Sequence, residues 1–277
     1  MNKRINVSII GAGRIAEHHL KAIKKIRGFK LCAICDLNYD KAYEFSKKYK
    51  VPYYLDYNEM LNKEKNIDIV AIMTPSGCHY EHCKDIIVKY KKNLIVEKPT
   101  FLRPSHVKEI YKLANKYKVK IFPVFQNRFN KAVQKIKKEI SANKIGKINL
   151  VNIRVRWCRP QRYYNLAPWR GTFSHDGGAL TNQGIHHIDL LRYLIGEVKE
   201  VNSKMLTLGV NIEVEDTGLA LFSFHSGAVG SLEITTAARP TDFEASISIL
   251  GSKGTVQIGG LAVNEILLYT PNLKICK

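Results

Sequence analysis

A regular exchange of strand-like and helix-like segments, starting at residue 5 and running to about residue 126, constrains this chain more than any other feature. INVSII at 5–10 is apolar and β-branched and stops at Gly11, and residues 14–27 then carry helical spacing through Ile15, Leu20, Ile23 and Ile26. LCAICD follows as a second strand, then a polar helix near 39–49, a short strand at VPYYL and a helix around 57–64 that starts near Asp56 or Asn58. IDIVAIMT, a helix around 79–90, NLIVEKP, helix 104–117 and VKIFPVFQ complete the series. Strands separated by helices cannot pair as hairpins, so the pattern predicts a parallel, doubly wound α/β sheet of the Rossmann kind.

Beyond residue 126 the pattern changes. A helix at 129–142 is expected to lead into the strand KINLVNIRVRW, an irregular stretch rich in Arg, Tyr, Trp and Pro at 158–178, and one amphipathic helix at about 179–195. Segments 200–209, 216–225, 227–237, 243–250 and 254–259 alternate apolar with polar residues and are separated by HSG, RPTD and GSKG turns. These short connections imply a large, mostly antiparallel sheet with helices on one side, an α+β domain over 127–277 behind a dinucleotide-binding domain over 1–126.

GAGRIA at 11–16 lies between the first strand and the first helix, the context in which a glycine pattern carries weight. Gly11 permits the turn, Gly13 lets the backbone approach a pyrophosphate, Ala16 takes the place of the third glycine, and the helix N-terminus faces the phosphates. Asp36 ends the second strand, where its carboxylate can accept hydrogen bonds from both hydroxyls of an adenosine ribose. A 2'-phosphate about 4 Å away would cost roughly 4 kcal/mol at an effective dielectric near 20. NAD is therefore expected rather than NADP, with Arg14 or a nearby Lys able to soften the preference.

Charge and cysteine content bound the remaining classes. The 44 Lys and Arg against 24 Asp and Glu give a formal charge of +20, but the lysines are spread over every segment, as solvated faces are. No recognition-helix, zinc-finger or aromatic-basic motif points to nucleic acid. Cys32-x-x-Cys35 has a metal-site spacing, yet in a strand side chains three apart face opposite sides; with no second pair, Cys32, Cys35, Cys78, Cys83, Cys158 and Cys276 are expected to be structural thiols and no metal is expected. The start MNKRINVSIIG has no apolar signal region and no run is long enough to span a bilayer, so a cytoplasmic protein is expected.

Two further motifs, MTPSGCH at 73–79 and VEKP at 96–99, follow buried parallel strands, and GGALTNQGIHHID occupies 177–189. Together they resemble the glucose-fructose oxidoreductase, inositol dehydrogenase and rhizopine-catabolism family (Gfo/Idh/MocA) over nearly the whole chain. VRWCRPQRYYN at 155–165 with the following PWRGTFSHDGGALTNQGIHHIDLL resembles the branch that oxidises the 3-hydroxyl of UDP-N-acetylglucosamine or its uronic acid. The resemblance implies NAD-dependent formation of a 3-keto nucleotide sugar, used by an aminotransferase for surface polysaccharide, and pairing of subunits through the outer face of the antiparallel sheet into a dimer or tetramer. It implies cofactor contacts at Gly11, Gly13, Arg14, Ile15, Asp36, Thr74, Pro75, His79, Glu97, Lys98 and Asn127. The family's catalytic lysine falls on Lys98 and its helix histidine on His186, while Asn182 stands where many relatives have an aspartate. Relatives usually continue beyond the strand EILLYT, whereas this sequence ends at PNLKICK, a short natural version or a truncated one.

Oxidising a secondary alcohol needs a base and a hydrogen-bond donor on one oxygen. His186 is the favoured base, with Lys98 stabilising the developing alkoxide; the reverse assignment stays open, because neighbouring positive charge lowers a lysine pKa. Asn182, four residues before His186, is expected to share its helix face and position the substrate, while His187 and Asp189 point elsewhere. For a diphosphate and its sugar, the irregular stretch offers Arg156, Arg159, Arg162 and Arg170 beside Trp157, Tyr163, Tyr164, Trp169 and Thr172, with Arg239 at a sheet turn. Two other readings stand beside this one: a dehydrogenase of a free polyol or sugar, which has little use for the arginines, and a non-catalytic dinucleotide-sensing or nucleic-acid-binding protein.

Overall fold

A computed structural model describes residues 4–271. The chain divides between Val124 and Phe125 into two compact units.

In the first unit β1 (Ile5–Ile10) leads through the glycine loop to α1 (Arg14–Lys25), then β2 (Phe29–Cys35), α2 (Tyr39–Tyr49), β3 (Tyr53–Tyr54) and α3 (Tyr57–Lys63). It continues through β4 (Ile69–Ile72), α4 (His79–Asp85), β5 (Asn93–Val96), α5 (Pro104–Tyr117) and β6 (Ile121–Pro123). The six strands are parallel in the order β3-β2-β1-β4-β5-β6, so the chain reverses its winding between β1 and β4, the point at which such sheets open a crevice for ligands. Apolar clusters cover both faces: Val7, Ile9, Leu20 and Ile34 on one side, Val70, Ile72, Leu94 and Ile110 on the other. This two-sided burial is why β1, β4 and β5 read as nearly continuous apolar runs.

One expectation about β2 fails. The register of β1 against β2 slips between Val7 and Ser8, leaving Cys32 as the extra residue of a bulge, and the alternation of sides is reset there. Cys32 and Cys35 therefore pack against the same cluster rather than on opposite faces. Both remain free thiols, and burial pushes the Cys35 thiol up to about 12. Cys276 lies outside the described residues.

The second unit begins with a 3-10 turn at Gln126–Phe129 and α6 (Lys131–Ser141), followed by β7 (Ile148–Arg156) and α7 (Gln161–Tyr164). A π turn at Ala179–Gln183 precedes α8 (Ile185–Ile195), and the rest is strand: β8 (Val198–Leu206), β9 (Thr217–Phe224), β10 (Val229–Thr235), β11 (Glu244–Gly251), β12 (Gly254–Gly259) and β13 (Glu265–Pro271). Their order is β13-β12-β11-β7-β10-β9-β8. All neighbours are antiparallel except β7 and β10, which run parallel because the segment containing α8 carries the chain across between them. α6 and α8 bury Val133, Ile136, Leu190, Leu191 and Leu194 against Ile153, Val155, Ile234 and Ile247 of one sheet face. The other face leaves Val201, Met205, Leu219 and Leu221 exposed, the last at 65%.

Candidate functional site

In the first unit the glycine loop is fixed by sterics. Gly11 has φ +97°, and a Cβ there would lie 2.8 Å from the carbonyl carbon and oxygen of Met73, the residue after β4. Gly13 has no atom within 4 Å of such a Cβ and caps α1 without a side-chain hydrogen bond; the Ala16 N–H turns back to the Gly13 carbonyl at 3.0 Å, and no side chain caps the N–H groups of Arg14 and Ile15. Arg14 and Ile15, in that first turn, are exposed. The Asp36 carboxylate accepts hydrogen bonds from the Ala12 N–H (2.7 Å) and the Asn38 N–H (2.8 Å), which ties the end of β2 to the loop. A left-handed glycine, an open glycine, an uncapped helix start and a fixed carboxylate are what a dinucleotide needs, and these residues fit one.

Thr74 and Pro75 follow β4, and Thr74 Oγ1 is 3.1 Å from His82 Nδ1. Burial pulls the His82 imidazole down to about 4, so it is neutral near pH 7. The side chains of His79 and Glu97 are both held by protein partners. His79 is 1% exposed, and its two ring nitrogens each lie 2.9 Å from a carbonyl oxygen, one of Pro99 and one of Thr74. It joins the loop after β4 to the loop after β5; burial lowers its pKa against the pull of those carbonyls. Glu97 is 6% exposed, with Oε1 2.7 Å from His19 Nε2 and Oε2 accepting the Lys98 N–H at 2.9 Å. Burial opposes ionisation of Glu97, but His19 and Lys98 hold its carboxyl below the usual range. Both side chains position the half-buried Lys98 instead of reaching outward. His19 carried no sequence signal beyond its place one turn into α1.

In the second unit His186 is 8% exposed near the start of α8, its Nε2 3.2 Å from Gln126 Nε2 and its ring edge-on to Phe125. Asn127 is buried beside Gln126. The turn is clamped to α8 by Arg128, whose Nε and Nη2 donate to Asp189 at 2.6 and 2.5 Å. His187 is wholly buried against Trp157, neither of its ring nitrogens has a hydrogen-bond partner, and burial holds it at about 3.

Asn182 does not share a regular helix face with His186. It sits in the π turn, separated from α8 by Gly184, whose Cβ would fall 2.2 Å from Ile234 Cδ1; a glycine there lets the turn press on β10. Asn182 is 6% exposed, and its Nδ2 donates to Asp176, a residue that sequence reasoning passed over.

The arginines divide. Arg156 is consumed by Glu233 and Glu244 on the neighbouring strands, at 2.5 and 3.1 Å. Arg159 donates to Asp242 (2.9 Å), Arg239 donates to the Thr236 and Ala238 carbonyls, and Arg162 is exposed. Arg159 also lies over Trp157 and Tyr163, 5.2 and 5.5 Å from the ring centres, while Arg170 stacks more closely on Tyr163 and Trp169, at 4.4 and 4.5 Å, and donates to the Tyr163 hydroxyl at 2.6 Å. Gln183 Nε2 donates to the same hydroxyl at 3.0 Å, joining this stack to the π turn of Asn182. Tyr164 is buried with its hydroxyl on Thr236, and burial pushes it up to about 12. Tyr164, Arg170 and Thr172 border a cleft of about 390 Å³ with Gln161, Asn165 and Glu213; neither His186 nor Arg239 lines it. Among the described residues no His, Cys, Asp and Glu group could hold a metal, and no helix is long and apolar enough to cross a membrane.

Comparison with known proteins agrees with this division. Residues 5–125 match the oxidoreductase family described as an NAD-binding Rossmann fold, and residues 133–257 match the GFO/IDH/MocA C-terminal domain. The WlbA dehydrogenase of Bordetella pertussis, solved in complex with NADH and UDP-GlcNAcA, is 36% identical with a TM-score of 0.95, over 99% of this chain and 79% of that one. The myo-inositol 2-dehydrogenase of Thermotoga maritima is 28% identical over 272 residues, 95% of this chain and 78% of that protein. The D-glucoside 3-dehydrogenase of Escherichia coli is 26% identical over 290 residues, covering 97% of this chain and 79% of that protein.

Proposed function

Because the chain belongs to the Gfo/Idh/MocA family of NAD-dependent oxidoreductases, we propose that it oxidises the sugar 3-hydroxyl of a UDP-N-acetylhexosamine or its uronic acid to a ketone. The observation that carries the nucleotide-sugar reading is the Arg170, Tyr163 and Trp169 stack, joined through Gln183 to the turn bearing Asn182. A guanidinium braced between aromatic planes suits a diphosphate and a pyranose or uracil face, and a free polyol has little use for it. The likeness to a protein solved with UDP-GlcNAcA supports the same choice.

In this reading Gly11, Gly13, Asp36 and the start of α1 hold NAD, which supplies the acceptor for the hydride leaving the sugar carbon. His186 accepts the hydroxyl proton, and the Lys98 ammonium donates to the oxygen as negative charge develops on it. The half-buried ion pair of Arg128 with Asp189 holds α8, and Glu97 with His19 holds the Lys98 backbone, so each reacting group is fixed by neighbours that do not react. The keto product is the kind of substrate an aminotransferase requires. The exposed apolar side chains of β8 and β9 are assigned to contact with further copies of the chain, in a dimer or tetramer.

NADH fluorescence after mixing the protein with NAD and, in separate reactions, UDP-N-acetylglucosamine, its uronic acid, myo-inositol and glucose tests the proposal. Turnover of myo-inositol or glucose alone would replace it with the polyol reading, which the inositol dehydrogenase relatives favour.

A further inference from the structure

Asp176 is 4% exposed and Asn182 is 6% exposed, and the loop between Gly171 and Gly178 curls around the carboxylate. Gly171, Gly177 and Gly178 all have left-handed backbones, and the N–H groups of Asp176 and Gly177 both donate to the Thr172 carbonyl at 3.0 Å. One Asp176 oxygen accepts the Gly171 N–H at 2.7 Å, and the other accepts the Asn182 amide nitrogen. An ionised carboxylate can only accept, so it dictates which end of the amide faces it. The amide oxygen of Asn182 then faces away from Asp176, 3.5 Å from Gln183 Nε2.

We propose that Asp176 is a positioning residue that fixes Asn182 with its oxygen toward the reacting hydroxyl, so that the negative charge of this site stands at 176 instead of 182. The inference rests on the preceding reading that Asn182 and His186 serve one substrate hydroxyl. It accounts for the amide at 182: an aspartate there would meet Asp176 carboxylate to carboxylate. Glu215 adds to the crowding, since its Oε1 accepts the Leu180 N–H at 2.9 Å and its carboxyl is raised by burial, with Asp176 and Asp216 contributing. The Asp216 carboxylate accepts the N–H groups of Leu208 and Gly209.

The test uses Asp176→Asn, Asn182→Asp and the two together in the full chain. Steady-state rates with NAD and the UDP-sugar, NADH titrations and unfolding temperatures are measured for each. Asp176→Asn, nearly isosteric, is expected to lower kcat by about tenfold or more while the NADH dissociation constant stays within about twofold, because the amide pair no longer fixes one orientation. Asn182→Asp is expected to lose both kcat and unfolding temperature. The double variant restores a pair of opposite polarity and is expected to exceed Asn182→Asp in both. Wild-type kcat in Asp176→Asn overturns the proposal, as does a double variant no better than Asn182→Asp. If Asp176→Asn does not fold, the unfolding temperatures of Asn182→Asp and the double variant still decide, since only the pairing predicts that a second substitution raises the first. If the wild type turns over none of the sugars, the functional reading fails, while the unfolding comparison still reads the pairing on its own.

Discussion

Two alanine substitutions two residues apart in the glycine loop should fail in opposite ways. At Gly11 an alanine must hold φ +97° and put its Cβ 2.8 Å from backbone atoms of Met73, which no side-chain rotation can relieve. The left-handed backbone costs about 1–2 kcal/mol, and displacing the β4 end adds about 1–3 kcal/mol of overpacking. The expected loss is therefore about 2–5 kcal/mol, with an unfolding temperature lower by roughly 2–4 °C for each kcal/mol. At Gly13, φ is −85° and a Cβ meets nothing within 4 Å. Reduced freedom of the unfolded chain contributes about 0.4–1 kcal/mol in favour, and the poorer helix cap takes away about as much. Gly13→Ala should thus melt within about 2 °C of wild type, yet weaken NADH by about tenfold or more, because the methyl group occupies the space for the pyrophosphate. Differential scanning fluorimetry and NADH fluorescence titration read both. A Gly11→Ala protein that melts like wild type, or a Gly13→Ala protein with undiminished NADH affinity, would refute the steric reasoning.

Three further outcomes are expected. His187 is folded as a neutral, buried ring at about 3 against an ordinary 6.5, so the unfolded state binds its proton first as pH falls. Its contribution is intact above pH 6.5 and declines below it by up to roughly 1.4 kcal/mol per pH unit; in urea melts at pH 7.5 and 5, His187→Phe should therefore lose less stability than wild type over that interval. Asp36→Ala should weaken NAD and shrink the NAD-over-NADP preference by about a hundredfold or more, measured as the ratio of kcat/KM, because it removes a repulsion of roughly 4 kcal/mol; an unchanged ratio would show that Asp36 does not meet the ribose. Arg128→Ala leaves Asp189, whose side chain is 10% exposed, without its bidentate partner, and should cost about 2–4 kcal/mol in denaturant melts; an Arg128→Ala, Asp189→Leu double variant should recover part of it.

Much of the site was legible because it is written in single segments. GAGRIA, the aspartate closing β2 and the prolines after β4 and β5 are local patterns whose meaning depends on neighbouring strands and helices, and those strands and helices follow from spacing alone. The side-chain partners of His79 and Glu97 were not legible, because their sequence neighbours place them correctly at the sheet edge without telling which way the side chains turn. Their partners, Pro99 and His19, lie 20 and 78 residues away. Arg156 was offered to a ligand for the same reason: Glu233 and Glu244, 77 and 88 residues on, pair with it only once β7 lies between β10 and β11.

The sequence by itself determined a parallel α/β unit, a mostly antiparallel α+β unit and the dinucleotide loop, since hydrophobic period, glycine stereochemistry and capping act within a few residues of the chain. Only the tertiary structure decided that β7 and β10 run parallel, that a bulge turns Cys32 to the side of Cys35, that a π turn leads into the helix of His186, and that Asp176 holds Asn182. Each of these depends on which distant backbone or carboxylate fills the space beside a residue, and packing, unlike periodicity, leaves no trace in the order of the residues.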